Sequence, residues 1–171
     1  MIIVDEDQTG NGRTGKLYAY MNYGITPDIV TTAKGLGGGL PIGAAMLGEK
    51  AESVLGFGDH GSTYGGNPVC SAGALTVINR LTDDFLDEVK QKSDYVFSAL
   101  GGASGIEAVS GMGLMIGIKT VKTAAEVVKT AMQNGVLCLT AKDKVRLLPA
   151  LNIPFEDLKK AIEIIKEAAA V

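Results

Sequence analysis

Lys34 stands directly before a run rich in glycine, and its amine is the side chain of this 171-residue chain best placed for chemistry. A short β-branched run at 28–32 precedes it, and glycines occupy positions 35 and 37–39. Because glycine has no side chain, the amine would project from a strand end into open space. The pattern predicts a reactive lysine that meets a bulky ligand, although an exposed lysine beside a flexible loop would give the same pattern.

Two familiar glycine-rich motifs do not fit this stretch. A phosphate-binding P-loop places its lysine after the glycines and before Ser or Thr, whereas Lys34 precedes them. The dinucleotide fingerprint requires a glycine where Leu40 stands when the motif is counted from Gly35. Neither motif therefore predicts nucleotide binding here.

Four further polar residues fall at predicted strand ends or in loops bordered by glycine: Asp5, Gln8, Ser62 and Thr63. In open α/β sheets, ligands bind at the carboxyl ends of the strands. This arrangement is the one that a site built with Lys34 at one edge of a sheet would require.

Each candidate also has an ordinary structural interpretation. Asp5 could cap a turn, and Ser62 and Thr63 could be turn hydroxyls. The single histidine, His60, has no Ser, Cys or metal partner at a suitable spacing, which favours a structural role. Arg146 taken alone would be an ordinary surface ion pair. Only the combination of these residues therefore indicates a functional site.

The elements that must position these residues form an αβ sheet segment followed by an α+β unit. Asn67 can cap a helix that begins at Pro68, and a second helix starts after Thr82 and ends at Gly101. Strands are predicted at 2–4 (buried), 28–32, 43–48, 106–110, 113–119, 136–139 and 144–148. Helices are predicted at 16–23, 49–55, 123–133 and 155–168. We place the boundary between two domains at residues 80 and 81.

Composition restricts the class of protein. Hydrophobic residues make up 46% of the chain, charged residues 20%, and the formal net charge is -3. This describes a soluble globular protein without the basic surplus that nucleic acid or anionic membrane would require. Cys70 and Cys138 have no metal-like spacing, which favours two buried thiols in a reduced, cytoplasmic protein and no metal site. The first residues predict neither a signal peptide nor a membrane span.

Four motifs together carry a resemblance to a known family. They are Asp5-Glu6-Asp7-Gln8-Thr9-Gly10 with Gly12-Arg13-Thr14-Gly15, Thr32-Ala33-Lys34-Gly35 with Pro41-Ile42-Gly43, His60-Gly61-Ser62-Thr63-Tyr64-Gly65-Gly66-Asn67-Pro68, and Arg146-Leu147-Leu148-Pro149. In this order they resemble the carboxyl-terminal half of a pyridoxal-phosphate aminotransferase of the acetylornithine, ornithine and 4-aminobutyrate family. The stretch 139–153 most resembles the acetylornithine branch.

The resemblance implies a fold class and a chemistry. The fold would be part of the large domain of a fold-type-I transferase, with a mostly parallel sheet at 1–80, followed by a linking helix and a small α+β domain at 81–171. The activity would be transfer of an amino group between N-acetylornithine, or a related ω-amino substrate, and 2-oxoglutarate, as in arginine biosynthesis. A homodimer whose subunits share site residues follows by the same resemblance.

The resemblance also assigns roles to single residues. Lys34 would hold pyridoxal 5'-phosphate as an imine and move the proton between the substrate carbon and the cofactor carbon. Asp5 would stabilise the protonated ring nitrogen, and Gln8 would donate to the phenolic oxygen of the ring. Thr63 matches a phosphate ligand of the neighbouring subunit's site, with Ser62 near phosphate and substrate.

Arg146 matches an arginine near the substrate entrance, and its partner there would be either a substrate carboxylate or an opposing glutamate. Two residues depart from the family's pattern: Asp7 replaces an apolar residue, and Ser110 replaces an arginine. The motifs of the family's amino-terminal half are missing. The chain could therefore be either an aminotransferase portion that needs the other half, or a fragment or truncated paralogue that folds or dimerises without turnover.

Overall fold

The computed structural model describes residues 1–171 throughout, and the chain divides into two compact units, Met1–Leu86 and Asp87–Val171. Each unit contains one sheet. The helix α2 (Asp83–Leu100) begins at the end of the first unit and continues into the second. The division at residues 80 and 81 stays a proposal.

The sheet of the first unit has three strands in the order β1 (Ile3–Asp5), β2 (Ile29–Thr32) and β3 (Ala44–Leu47). The pair β1 and β2 is parallel, with Asp5 opposite Thr31, whereas β3 runs antiparallel to β2. Because β1 and β2 are parallel, their carboxyl ends lie at the same edge of the sheet. That edge is where the predicted site residues begin.

The helix α1 (Pro68–Arg80) begins as predicted. The Asn67 carboxamide oxygen accepts hydrogen bonds from the backbone N–H groups of Val69, at 3.0 Å, and Cys70, at 3.1 Å. The helix packs on the glycine-rich turn after β2. A Cβ added at Gly73 would lie 2.6 Å from a methyl carbon of Leu40, so a larger residue here would require the Leu40 side chain to move.

The second unit contains a four-stranded antiparallel sheet in the order β4-β5-β7-β6. Its strands are β4 (Ile106–Met112), β5 (Met115–Thr120), β6 (Leu139–Ala141) and β7 (Lys144–Leu147), and its later helices are α3 (Ala124–Gln133) and α4 (Phe155–Ala169). Thr123 and Glu126 form a capping box that begins α3. In α4, Leu158, Ile162 and Ile165 form a buried apolar stripe.

Three predicted elements differ from the structure. The helix predicted at 16–23 is a 3-10 helix limited to Ala19–Tyr23. Residues 49–55 form consecutive turns rather than a helix, because their N–H groups mostly reach back three residues, as from Ala51 to Gly48 and from Val54 to Ala51. The strand predicted at 136–139 begins at Leu139, because the Val136 N–H still bonds to the Ala131 carbonyl at the end of α3.

Two predictions of burial are wrong. The strand at 2–4 was expected to be buried, but Ile3 is 63% exposed and Ile2 is also exposed. Cys70 and Cys138 are half-buried thiols rather than buried ones. The reason is common to both errors: a β-branched or apolar run indicates an element, but not what covers it. The helices are all too short or too polar to cross a membrane.

Candidate active site

Lys34 lies two residues beyond the end of β2 and begins a short 3-10 turn, Lys34–Gly37. Its side chain is exposed. Its φ is +47°, a left-handed conformation that is uncommon for a residue with a Cβ and that costs about 1–3 kcal/mol where surroundings enforce it. The predicted position of the amine at a strand end beside glycines is therefore what the backbone shows.

Asp5 lies at the same sheet edge as Lys34. It is the last residue of β1, its partner in the parallel register is Thr31, and its carboxylate is exposed. One carboxylate oxygen, Oδ1, accepts the N–H of Asp7 at 2.9 Å, which turns the chain away from the strand. Gln8 is exposed in the turn that follows. The structure thus brings Asp5, Gln8 and Lys34 to the end of one parallel strand pair.

A buried carboxylate that the sequence analysis did not single out fixes this loop. Glu6 is fully buried, and its two oxygens accept the hydroxyl of Thr9 at 2.6 Å and the backbone N–H groups of Ala19 at 3.0 Å and Tyr20 at 2.9 Å. These donors satisfy a charge that would otherwise be costly to bury. Glu6 therefore ties the loop after β1 to the 3-10 helix Ala19–Tyr23. The only signal in the sequence was its place beside Asp5.

A second residue that the sequence analysis did not single out connects the same loop to β2. The buried Asn11 donates from Nδ2 to the hydroxyl oxygen of Thr32 at 3.0 Å and to the carbonyl oxygen of Ala33 at 3.1 Å. Ala33 is the residue directly before Lys34. No local sequence pattern predicts bonds over 21 and 22 residues of chain.

Two side chains near this loop have shifted ionisation. Burial raises the pKa of Tyr18, and a hydrogen bond with Thr32 offsets part of that shift. The ring of Tyr18 stacks on Tyr20 with centroids 5.8 Å apart. Burial also lowers the pKa of the Arg13 guanidinium. Tyr18 is therefore held as the neutral phenol at the pH at which proteins normally work.

Ser62 and Thr63 lie in the first unit, in an exposed loop that leads to α1. The Ser62 hydroxyl oxygen accepts the backbone N–H of Gly65 at 3.0 Å, so Ser62 does serve a turn. Both side chains are exposed. Their assigned roles stay predictions.

Arg146 lies in the second unit, within β7, opposite Gly117 of β5 and Leu139 of β6. It is half-buried and borders a cavity of about 300 Å³ whose other lining residues are mostly apolar. Cys138 borders the same cavity, and burial raises the pKa of its thiol. A cation at the rim of an apolar cavity can bind a carboxylate, as the sequence analysis allowed.

Comparison with known proteins matches this chain to one family. The model of the class-III aminotransferases matches residues 1–169. The acetylornithine aminotransferase of Haemophilus ducreyi is 46% identical over 169 residues, which cover 98% of this chain and 43% of that protein. The corresponding enzyme of Clostridium acetobutylicum is 42% identical over 175 residues, which cover 98% of this chain and 45% of that protein.

A solved structure supports the same conclusion. The ornithine aminotransferase of Toxoplasma gondii superposes with a TM-score of 0.89 at 31% identity, over 98% of this chain and 42% of that chain. The chain thus spans less than half the length of the relatives it matches, and the matched region is their carboxyl-terminal part. The family and the fold class predicted from the motifs are confirmed. The chain belongs to the class-III aminotransferase family.

Proposed function

We propose that this chain supplies the lysine-bearing part of a pyridoxal-phosphate aminotransferase. The enzyme would move an amino group between N-acetylornithine, or a related ω-amino substrate, and 2-oxoglutarate, as arginine biosynthesis requires. One observation carries the proposal: Asp5 is the last residue of β1 and Lys34 follows the end of β2, and these two strands pair in parallel. The names of the relatives from Haemophilus ducreyi and Clostridium acetobutylicum favour acetylornithine as the substrate.

The residues of this sheet edge fit pyridoxal phosphate, the cofactor of class-III aminotransferases. The aldehyde of the cofactor forms an imine only with a primary amine, and Lys34 has an exposed primary amine. A Cβ added at Gly39 would meet no atom within 4 Å, so space beside the turn is open. A basic ring nitrogen is held in its protonated form by a carboxylate, and Asp5 is an exposed carboxylate at the same edge.

Bound pyridoxal phosphate supplies an electron sink that makes a substrate C–H bond acidic. Lys34 would hold the cofactor covalently through Nζ until the amino group of the substrate displaces it. The freed Lys34 amine would then move a proton from the substrate carbon to the cofactor carbon. The Asp5 carboxylate stabilises the positive charge on the ring nitrogen. Gln8 donates to the phenolic oxygen of the ring. Glu6 keeps the loop that carries Asp5 and Gln8 in place, through its bonds to the 3-10 helix.

The remaining site residues are proposed to act at the edges of the site. Thr63 binds the phosphate in the neighbouring subunit of a homodimer, and the exposure of its loop supports contact with another chain. Ser62 lies near phosphate and substrate. Arg146 binds either a substrate carboxylate or an opposing glutamate, and its position at a cavity rim supports both roles.

The attachment of the cofactor can be tested in a fused enzyme, in which this chain replaces the matching carboxyl-terminal part of the Haemophilus ducreyi relative. Borohydride reduction followed by peptide mass mapping is expected to leave the pyridoxyl label on Lys34. A Lys34→Arg variant is the control and is expected to remain unlabelled at that peptide. A label on Lys16, Lys50 or another lysine would refute the assignment.

The role of Asp5 is tested by Asp5→Asn in the fused enzyme. A neutral amide cannot hold a ring nitrogen protonated, so the variant is expected to bind cofactor at Lys34 but lose most of its transamination. Asp7→Asn is a matched control, because it neutralises a carboxylate in the same turn. Near-normal turnover of Asp5→Asn would show that Asp5 is not the partner of the ring.

A second possibility is that this chain does not take part in turnover. It would then be a non-catalytic fragment or truncated paralogue that folds or dimerises without turnover. By itself, the 171-residue chain is expected to bind the cofactor weakly, because the contacts implied for the family's amino-terminal half are missing from it. Each charge-assisted hydrogen bond lost in this way is worth about 1.5–3 kcal/mol. Glutamate formation from 2-oxoglutarate and N-acetylornithine separates the cases. If the fused enzyme turns over and the 171-residue chain does not, the chain is part of an aminotransferase. If the fused enzyme is also inactive, the chain is a non-catalytic fragment or paralogue.

A further inference from the structure

Asn11 connects two stretches that are far apart in sequence, the loop after β1 and the end of β2. Its Nδ2 donates to Thr32 Oγ1 at 3.0 Å and to the Ala33 carbonyl at 3.1 Å. The Ala33 carbonyl also accepts the N–H of Leu36 at 3.0 Å. The backbone is therefore fixed on both sides of Lys34. Ala33 accepts a hydrogen bond from Asn11 in the loop, and Leu36 donates the hydrogen bond that closes the turn.

Asn11 keeps two unfavourable features in order to make these bonds. Its φ is +54°, in the left-handed region that disfavours residues with a Cβ. Its Oδ1 atom is buried and has no hydrogen-bond partner. An unsatisfied buried acceptor and a strained backbone each reduce stability, and such costs are concentrated at functional sites. If this position had only a structural role, glycine would avoid both the backbone strain and the unsatisfied acceptor.

The orientation of the Asn11 amide is set by chemistry. A carbonyl oxygen can only accept hydrogen bonds, so the NH₂ group must face Ala33 and the carboxamide oxygen must face away. Rotating the amide would place two acceptor oxygens against each other. The orphaned Oδ1 is thus the consequence of directing the donor at the residue before Lys34.

We propose that Asn11 is a positioning residue for Lys34. Its amide fixes the Ala33 carbonyl, so that Lys34 leaves the strand with φ of +47° and its amine is directed to one place at the sheet edge. This inference rests on the proposed function, because it matters for catalysis only if Lys34 carries the cofactor. The resemblance to the family assigned no role to Asn11, so this inference adds a residue to the proposed site.

The test uses Asn11→Gly in the fused enzyme. Glycine keeps the left-handed backbone and removes only the side chain, so backbone strain is not introduced. Asn11→Asp is the second variant, because it keeps the volume but replaces the donor with an oxygen that repels the Ala33 carbonyl. Asn22→Ala is the matched control, since the Asn22 Nδ2 also donates to one hydroxyl, of Thr14 at 3.2 Å, and one carbonyl, of Ala19 at 3.1 Å.

Hydrogen exchange of the cofactor-free protein is the first measurement. In both Asn11 variants the Leu36 amide is expected to exchange about tenfold faster, the factor that corresponds to one lost neutral hydrogen bond. The amides of β1 and β2 are expected to keep their rates. In Asn22→Ala, the Leu36 amide is expected to remain unchanged.

Steady-state kinetics of the loaded enzyme are the second measurement. Loss of positioning is expected to lower kcat about 10- to 100-fold. KM for the amino donor is expected to change less than about threefold, because no substrate contact is removed. Asn22→Ala is expected to retain both constants.

The outcomes separate this inference from the proposed function. Unchanged exchange at Leu36, or equally faster exchange throughout β1 and β2, overturns the positioning role of Asn11 whatever the activity. Faster exchange at Leu36 with unchanged kcat also overturns it. An unmodified fused enzyme that carries its label on another lysine overturns the proposed function instead, and does so before any Asn11 variant is made.

Discussion

The two units of the chain bury different kinds of side chain. The large side chains that are fully buried are apolar in the second unit, and the first unit contributes only the carboxylate-bearing Glu6 to this group. The members in the second unit are Val89, Val96, Leu100, Leu114, Ile116, Ile118, Val127, Val145, Ile162 and Ile165. The second unit is therefore stabilised by apolar packing, whereas the interior of the first depends more on hydrogen bonds.

The first unit instead exposes much of its apolar surface. Its exposed large apolar side chains include Ile2, Ile3, Val54, Leu55, Phe57, Tyr64, Val69 and Leu75. Surface of this kind associates with other protein surfaces, as sharing of a site between subunits would require. The unit that carries Lys34 thus combines a polar interior with exposed apolar surface, whereas the other unit has an apolar core.

Separating the units at the proposed boundary has the largest expected effect. A fragment of residues 81–171 is expected to unfold cooperatively in urea, because it contains the apolar core and all of α2. A fragment of residues 1–80 is expected to show no cooperative transition by circular dichroism, because little apolar area is buried within it.

A shorter fragment provides the control for this separation. Residues 101–171 lack Val89, Val96 and Leu100, three fully buried side chains of α2, and are expected to lose the transition. Cooperative unfolding of 1–80 would contradict the comparison. So would a fragment 81–171 that behaves like an unfolded chain.

Truncation of a core side chain in the second unit has the next largest effect. Ile118 is fully buried in β5, and Ile118→Ala is expected to lower the free energy of unfolding by about 2–5 kcal/mol. Leu137, which is 85% exposed, is the control, and Leu137→Ala is expected to stay within about 0.5 kcal/mol. Urea denaturation of 81–171 measures both, and equal losses would show that this unit does not depend on its apolar core.

The corresponding change in the first unit is Glu6→Gln. The amide keeps one acceptor oxygen, so its NH₂ group faces the N–H of either Ala19 or Tyr20 and leaves that donor unsatisfied at a cost of about 1–3 kcal/mol. Hydrogen exchange of at least one of these two backbone amides in the fused enzyme is expected to accelerate. Glu52→Gln, at an exposed position, is expected to have no effect. Unchanged exchange in Glu6→Gln would show that apolar contacts, not this carboxylate, hold the loop.

The sequence predicted the second unit better than the interior of the first. The apolar stripe of α4, in the second unit, follows from local spacing, as does the cap at Asn67 on the surface of the first unit, so these elements were predictable. The turns at 49–55 were mistaken for a helix because glycine-flanked apolar residues are ambiguous over so short a length.

The candidate site shows the same limit. The positions of Lys34 and Asp5 at strand ends were predictable because an apolar run precedes each residue, and strand ends are local signals. The bonds of Glu6 to residues 19 and 20, and of Asn11 to residues 32 and 33, join segments distant in sequence. A single sequence contains no periodicity that reports such pairs, so only the fold reveals them.

The smallest expected effects concern two carboxylates, one in each unit. The backbone N–H of Ile2, and then the ammonium of Lys50, lower the pKa of Asp28 below its ordinary value. In the second unit, the hydroxyl and backbone N–H of Thr123 lower the pKa of Glu126. Glu126 is exposed, and so is Lys50, the cation that pairs with Asp28, so screening by solvent keeps each contribution small.

A lowered pKa in the folded state fixes the direction of the pH dependence. Each contribution to stability is complete above the unfolded pKa, about 3.9 for Asp and about 4.3 for Glu, and is lost as pH falls through the lower folded value. Asp28→Asn and Glu126→Gln are therefore expected to reduce stability at pH 7 and to differ little from the unmodified protein near pH 2. Hydrogen exchange at the Ile2 amide, followed from pH 7 down to pH 3, reports the first unit, and urea midpoints of 81–171 report the second. A variant whose deficit persists undiminished in acid would show that its carboxylate stabilises the unit through shape or packing rather than charge.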